Sequence, residues 1–255
     1  MNGFFVDRGN GPAVVFQHGL GGDEAQVAEV FPDEDGLWRR LTLDCRGQGR
    51  TLPDPQNRYA IRTFAEDVLR LADERRVERF VAGGISMGAA IALHLAVHHP
   101  GRVTALILAR PAWLFEAAPE TMAPYAEVAG LLGTIDGLTT FNASNTALRL
   151  AVEAPGNLAS LCGFFARPNS EATAALLGAI AVDGPGVTRD QAAALDVPTL
   201  VIGHGRDLVH PLAYAETLAA TIPGAQLVEI TPKATDPERH ADEFRSALRR
   251  FLTSL

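Results

Sequence analysis

Short apolar runs alternate with longer amphipathic stretches along most of the chain. Most of the runs are rich in β-branched residues and are bounded by Gly, Pro or Asp, which is typical of buried parallel strands. The predicted strands are AVVFQ at 13–17, RLTLD at 40–44, RFVAGG at 79–84, VTALIL at 103–108, VPTLVIG at 197–203 and AQLVEI at 225–230. NGFFVD at 2–7 is predicted to add one antiparallel strand at an edge of the sheet.

Several stretches between these strands carry apolar residues at helical spacing. One face of 63–76 presents Phe64, Val68, Leu71 and Ala72, and one stripe of 241–252 presents Phe244, Leu248, Phe251 and Leu252. The stretch at 89–99 is apolar almost all round, as expected of a helix that lies deep against a sheet. This alternation predicts an α/β fold, with a mostly parallel twisted sheet covered by helices on both faces.

Residues 111–194 break the alternation, because they contain helical patches but no convincing strand. The segment is too long for a simple connection. We therefore predict a core formed by residues 1–110 and 195–255, and a helical cap or lid formed by 111–194. The alternative, a small packed subdomain with no part in binding, stays open.

Composition and charge narrow the class of protein. The chain has 255 residues, 47% of them hydrophobic, which is enough to bury a full core. Its net charge of −8 and the lack of a basic cluster argue against nucleic acid as a partner. With no long apolar run and no signal-peptide pattern at the start, we expect a cytoplasmic protein that does not engage membranes. A small-molecule substrate is the expected partner, and a homodimer stays open.

The segment GGISMG at 83–88 places Gly84 and Gly88 on either side of Ser86, between a predicted strand and a predicted helix. Gly-x-Ser-x-Gly in this context is typical of a nucleophile elbow. A tight turn leaves no room for Cβ atoms at the glycines, and the serine hydroxyl then projects from the carboxyl edge of the sheet. Ser86 is therefore the predicted nucleophile.

The first core strand runs into His18-Gly19-Leu20-Gly21-Gly22. Backbone N–H groups aimed at a carbonyl oxygen stabilise the negative charge that forms there during acyl transfer. We predict that the amides of Leu20 and Met87 form such an oxyanion hole. His18 is interpreted as a buried structural histidine, with a place in the substrate pocket as the alternative.

The segments FQHGLGG, LDCRGQGRT, GGISMG, HHPGRVTALIL and VPTLVIGHGRDLVHP, with a closing helix EFRSALRRFL, together resemble the α/β-hydrolase fold family. The resemblance covers residues 11–110 and 196–255 and excludes the helical insertion. It implies a catalytic triad in the chain order serine, acid, histidine, and it implies neither a metal nor an organic cofactor.

Asp207 follows the strand at 197–203, where the resemblance places the acid that orients a histidine. The alternatives are a surface acid or the cap of the next helix. His204 and His210 flank Asp207 so closely in sequence that we interpret them as loop or rim residues.

The histidine is the weakest part of the pattern. In this family it usually follows the last strand, which falls near Asp236 in this chain, and Asp236 cannot serve as the base. His240 is the only histidine after that strand, so we predict that it completes a triad with Ser86 and Asp207. The alternative is an exposed helix histidine, in a poor hydrolase or a non-catalytic relative.

Further candidates lie near these motifs. Asp44 and Arg46 are expected to brace loops beside the site, and Cys45 between them is interpreted as structural. Arg110 is expected either to meet a substrate carboxylate or to pin the insertion to the core. Trp113 is expected either to line the substrate pocket or to belong to the core of the insertion.

The sequence thus predicts a serine hydrolase that cleaves a small-molecule carboxylic ester, thioester or lactone through an acyl-enzyme. A C–C bond hydrolase and a cofactor-free haloperoxidase of the same fold stay open, since fold does not fix function. A relative that binds a small ligand without turnover also stays open.

Overall fold

Seven strands form one sheet in the computed structural model, which describes residues 3–33 and 36–255. The strands are β1 (Phe5–Arg8), β2 (Ala13–Gln17), β3 (Arg39–Leu43), β4 (Phe80–Ile85), β5 (Val103–Ala109), β6 (Thr199–Gly203) and β7 (Gln226–Glu229). Their order across the sheet is β1-β3-β2-β4-β5-β6-β7. Only the pairing of β1 with β3 is antiparallel, as predicted for the edge strand. Asn2, the first residue of that predicted strand, lies outside the described residues.

Helices cover both faces of the sheet, which confirms the predicted α/β class. They are α1 (Glu24–Val30), α2 (Ile61–Glu74), α3 (Met87–His98), α4 (Ala123–Leu131), α5 (Gly137–Asn142), α6 (Asn145–Glu153), α7 (Pro155–Gly163), α8 (Ser170–Ala181), α9 (Arg189–Ala193), α10 (Leu212–Thr221) and α11 (Pro237–Thr253). Short 3₁₀ helices lie at Glu120–Met122 and Phe164–Ala166.

Two apolar layers separate the sheet from its helices. Residues of α2, α3 and the helical segment after β5 pack on one face, and residues of α1 and α11 pack on the other. The predicted stripes of α2 and α11 are buried in these layers. Every residue from Met87 to Ala96 in α3 is buried, which explains why that helix is apolar all round.

Between the end of β5 at Ala109 and the start of β6 at Thr199, the described chain forms helices and no strand, as predicted. Asp183 ties this segment to the rest of the fold, because its carboxylate accepts a hydrogen bond from the Ile61 amide at 2.6 Å. The division into a core and a cap stays a prediction. None of the helices in residues 3–33 and 36–255 has the length and apolar character needed to cross a membrane.

Candidate active site

Ser86 stands at the junction of β4 and α3 with a positive φ of 56°. This conformation is strained for a residue with a side chain. A Cβ on Gly84 would lie 2.5 Å from the carbonyl carbon of Gly88, and a Cβ on Gly88 would lie 2.7 Å from the carbonyl carbon of Gln17. Only glycine fits at either position, as the predicted elbow requires.

The imidazole beside Ser86 belongs to His210. Its Nε2 lies 2.8 Å from Ser86 Oγ, and its Nδ1 lies 3.0 and 2.9 Å from the two oxygens of Asp207. Since a carboxylate only accepts hydrogen bonds, Nδ1 carries the proton, and Nε2 is free to accept the proton of the serine hydroxyl. The three side chains form a continuous chain of hydrogen bonds.

Acid and imidazole share the loop between β6 and α10, three residues apart. Asp207 Oδ1 also accepts the backbone amides of Val209 at 3.2 Å and His210 at 2.9 Å. The turn folds the chain back on the carboxylate, which brings the His210 ring against it. Pro211 then precedes the first residue of α10.

His240 takes no part in this contact, so the histidine beside Ser86 is corrected from His240 to His210. The Nδ1 of His240 donates to the carbonyl of Thr231 at 2.8 Å, and its ring packs edge-on against Phe244. The side chain of Asp236 caps α11 and holds His240 in the first turn of that helix. His240 is 3% exposed, so the alternative of an exposed helix histidine is also wrong.

His204, at the start of the same loop, is a buried and neutral neighbour of the acid. Its Nδ1 donates to the carbonyl of Gly205 at 2.7 Å, and its Nε2 has no hydrogen-bond partner among the described residues. That Nε2 lies 3.8 Å from Asp207 Oδ2. Burial lowers the pKa of His204 to about 4, with a further contribution from the positive charge of Arg110.

Two further donors hold the carboxylate of Asp207. Arg110 Nη2 donates to Oδ2 at 2.6 Å, and Asn157 Nδ2 donates to Oδ1 at 2.9 Å. Burial favours a raised pKa for Asp207, but the charges and hydrogen bonds of His210 and Arg110 outweigh it and hold that pKa well below its ordinary value. The group is therefore an anion at neutral pH.

Burial also lowers the pKa of His210, and the charge of Arg110 adds to this while Asp207 opposes it. The net direction is downward, so the imidazole is neutral at neutral pH. A neutral imidazole beside an ionised carboxylate is the protonation state in which His210 can accept a proton from Ser86.

Arg110 and Trp113 occupy positions that the sequence left open. Arg110 has a positive φ of 46°, and its guanidinium contacts Asp207. Trp113 is 2% exposed, and its indole N–H donates to the carbonyl of Asp183 at 2.9 Å. These contacts place Arg110 beside the acid and favour an anchoring role for Trp113 within the helical segment.

The loop at 19–22 lies against Ser86. A Cβ on Gly19 would stand 3.3 Å from the Cβ of Ser86. Three of the four amides in this loop have acceptors: Gly19 N–H donates to Gln26 Oε1 at 2.8 Å, Gly21 N–H to Gln48 Oε1 at 2.7 Å and Gly22 N–H to Gly19 O at 2.8 Å. The amide of Leu20 has no acceptor among the described residues, so it is available to a ligand.

His18 joins this loop to the loop after β3. It is fully buried, its Nδ1 donates to the carbonyl of Gly19 at 2.8 Å, and its Nε2 accepts the amide of Cys45 at 3.0 Å. Burial lowers its pKa, so the ring is neutral. Both ring nitrogens are used within the protein, which supports the structural interpretation.

The loop after β3 is braced as expected from the sequence. Asp44 accepts the amides of Glu24 at 2.7 Å and Arg50 at 2.9 Å. Arg46 forms ion pairs with two buried acids, Asp54 and Asp67. Cys45 is 1% exposed and burial strongly raises its pKa, so it is an unreactive thiol.

A cavity of about 240 Å³ separates the loop at 19–22 from the helical segment. Its lining includes Leu20, Phe164 and Arg167. Arg167 Nη2 donates to the carbonyl of Gly21, and its guanidinium stacks on the ring of Phe164. The helical segment thus touches the loop that carries the unpaired amide of Leu20.

The fold and this arrangement define a hydrolase of the α/β class. Residues 12–152 match the sequence model of the family described as alpha/beta hydrolase fold, and the chain belongs to this family of enzymes.

Similar proteins span nearly the whole chain. The 3-oxoadipate enol-lactonase 1 of Acinetobacter baylyi is 26% identical over 96% of this chain and 90% of its own length. The pyrrolizixenacetamide deacetylase of Xenorhabdus hominickii is 24% identical over 96% of this chain and 92% of its own length. The crystal structure of the enol-lactonase from Burkholderia xenovorans LB400 superimposes with a TM-score of 0.74 at 28% identity, covering 98% of this chain and 96% of that one.

Sequence reasoning missed His210 and Asn157 as site residues. The available signal for His210 was its place three residues after Asp207 at the carboxyl end of β6, directly before Pro211 and the next helix. No local pattern marks Asn157, because its partner lies 50 residues away in the chain.

Proposed function

We propose that the protein is a serine hydrolase that cleaves small-molecule carboxylic esters, thioesters or lactones through an acyl-enzyme at Ser86. The observation that carries this proposal is the distance of 2.8 Å between His210 Nε2 and Ser86 Oγ, with His210 Nδ1 on Asp207. A base in contact with the nucleophile, itself oriented by an acid, is the arrangement that activates a serine hydroxyl.

In the first half-reaction, Ser86 Oγ attacks the substrate carbonyl carbon while His210 Nε2 takes the hydroxyl proton. The carbonyl oxygen becomes an oxyanion and accepts hydrogen bonds from the amides of Leu20 and Met87. When the tetrahedral intermediate collapses, the bond to the leaving oxygen or sulfur breaks. His210 Nε2 returns its proton to the leaving group, and the acyl-serine remains.

In the second half-reaction, water gives a proton to His210 Nε2 and attacks the acyl carbon. Collapse of the second intermediate breaks the bond to Ser86 Oγ, which regains the proton, and the carboxylic acid is released. Asp207 stays ionised throughout; it holds the Nδ1–H tautomer and stabilises the imidazolium of His210.

The helical segment at 111–194 is proposed to be the cap over this site. Asn157 contacts the acid, while Phe164 and Arg167 contact the loop at 19–22. A cap that excludes water strengthens the hydrogen bonds to the oxyanion. The proposed preference for esters and lactones also draws on the two enol-lactonases among the similar proteins.

The test combines a fluorophosphonate probe with a panel of p-nitrophenyl esters and simple lactones. We expect one label per chain and ester turnover, both lost in Ser86→Ala, with activity reduced roughly 10⁴-fold or more. Ser254→Ala changes an exposed serine in the last turn of the chain and is the matched control. A folded wild-type protein that takes up no label at high probe concentration would instead support a ligand-binding protein without turnover.

A further inference from the structure

Asn157 connects the helical segment to the acid of the site. It lies in the first turn of α7, is 7% exposed, and uses both ends of its amide group. Nδ2 donates to Asp207 Oδ1 at 2.9 Å, while Oδ1 accepts the amides of Leu208 at 2.8 Å and Val209 at 3.3 Å. One side chain thus fixes both the carboxylate and the backbone that follows it.

The carboxylate needs this support because the His210 ring meets both of its oxygens at nearly equal distances, 3.0 and 2.9 Å. Rotation of the carboxyl group would change the direction of the imidazole. Arg110 restrains one oxygen from the end of β5, and Asn157 restrains the other from α7. The two donors approach from separate parts of the fold.

We propose that Asn157 is a positioning residue for the Ser86–His210–Asp207 triad, so that the triad is fully aligned only while α7 lies over the carboxyl edge of the sheet. This inference rests on the proposed function, since it concerns how the same serine is activated. Asn157 touches neither Ser86 nor the imidazole in any contact of the structure, and acts through Asp207.

Contacts at the far end of the same segment also support a link between the position of α7 and the alignment of the triad. Beyond α7, Phe164 packs against the Gly21 position and Arg167 donates to the carbonyl of Gly21. The cavity between this segment and the loop at 19–22 is lined by residues of both, so the segment forms one wall of it. Movement of α7 away from the sheet would withdraw Nδ2 from Asp207, so full alignment of the triad requires α7 in the position described.

Several charged or titratable groups surround Asp207, and they set how the site responds to a change at Asn157. Arg110 follows β5, and His204 and His210 share the loop of the acid. Tyr125 of α4 interacts electrostatically with Asp207, and burial raises its pKa to about 12, so that it stays neutral. A new negative charge at position 157 would therefore act mainly on the pair of Asp207 and His210.

Two substitutions separate positioning from folding. Asn157→Asp keeps the shape and the acceptor for the Leu208 amide; in its ionised form it has no donor for Asp207 and adds a negative charge beside it. Asn157→Leu removes both functions. Asn145→Leu changes an exposed residue at the start of α6 and is the matched control within the same helical segment.

For Asn157→Leu we expect a folded protein with kcat reduced roughly 10- to 100-fold and KM changed by less than about threefold, as for a small misplacement of catalytic groups. For Asn157→Asp we expect the acid limb of the kcat/KM profile to move to higher pH, because negative charge stabilises the His210 imidazolium. Asn145→Leu should behave as wild type.

An NMR titration of His210 reads the same effect without turnover. The imidazole signal of Asn157→Asp should titrate at higher pH than in wild type, whether or not the protein hydrolyses esters. If fluorophosphonate fails to label the wild type, the proposed hydrolase function fails while this titration still decides the positioning role. Folded Asn157 variants with wild-type kcat, acid limb and His210 titration would overturn the inference.

Discussion

Substitution of His210 and of His240, one at a time, should affect different properties of the protein. His210→Ala removes the contact of 2.8 Å with Ser86 and both contacts with Asp207. Loss of a general base from a triad reduces the rate by roughly 10⁴- to 10⁶-fold. At 1.36 kcal/mol per factor of ten, this corresponds to about 5 to 8 kcal/mol of transition-state stabilisation.

His240→Ala should instead reduce stability. The ring is 3% exposed, donates to the carbonyl of Thr231 and packs against Phe244. Loss of one buried hydrogen bond and its packing costs about 1 to 3 kcal/mol in the free energy of unfolding. We expect kcat/KM to stay within roughly a factor of ten of wild type, because His240 touches none of Ser86, His210 and Asp207 in the contacts described.

The assay pairs p-nitrophenyl ester kinetics with urea unfolding of the same preparations. Circular dichroism must first show that His210→Ala is folded, so that lost activity reflects chemistry. The assignment of the base fails if folded His240→Ala loses more than about a thousandfold in kcat/KM while His210→Ala retains most of its activity.

Two further predictions concern the charge beside the acid and the elbow. Arg110→Gln removes a positive charge that lowers the pKa of His210, so this pKa should rise and the acid limb of kcat/KM should move to higher pH. The control variant Arg149→Gln changes an exposed ion pair in α6 and should leave the pH profile unchanged. Gly88→Ala should lower the free energy of unfolding by about 3 kcal/mol, since the added Cβ would collide with backbone atoms at the end of β2. Gly101→Ala meets open space, and equal unfolding midpoints for the two variants would contradict the steric argument.

The sheet and the elbow could be predicted from sequence because their signals are local. Buried strands such as β4 and β6 are short apolar runs, most of them bounded by Gly, Pro or Asp, so hydrophobic periodicity and turn residues locate them. Glycine is needed at positions 84 and 88 because a Cβ at either position would collide with neighbouring backbone. The Gly-x-Ser-x-Gly spacing around Ser86 already indicates this requirement. The predicted bounds differ from the observed ones by a few residues at most.

The histidine could not be assigned correctly because its position depends on the conformation of one loop. The closeness of His210 to Asp207 in sequence argues against a shared role, but the amides of Val209 and His210 donate to Asp207 and close a turn that brings the two side chains together. Nothing in the residues around His240 shows that the carbonyl of Thr231 accepts a hydrogen bond from its Nδ1–H. Tertiary packing decides which histidine contacts Ser86, and a single sequence does not show that packing.

An acid and a base on one loop concentrate the proposed chemistry at three adjacent strands. Ser86 follows β4, Arg110 follows β5, and Asp207 with His210 follows β6, and these strands are neighbours in the order β4-β5-β6. The carboxyl ends of neighbouring parallel strands meet at one edge, so these four groups need only short loops to converge. The loop after β7 has no part in this proposed chemistry, and His240, which follows it, is a buried packing residue. Within residues 3–33 and 36–255, α7 is the element outside these strands and their loops that donates a side-chain hydrogen bond to Asp207, and for this reason the proposed alignment of the reactive groups includes Asn157.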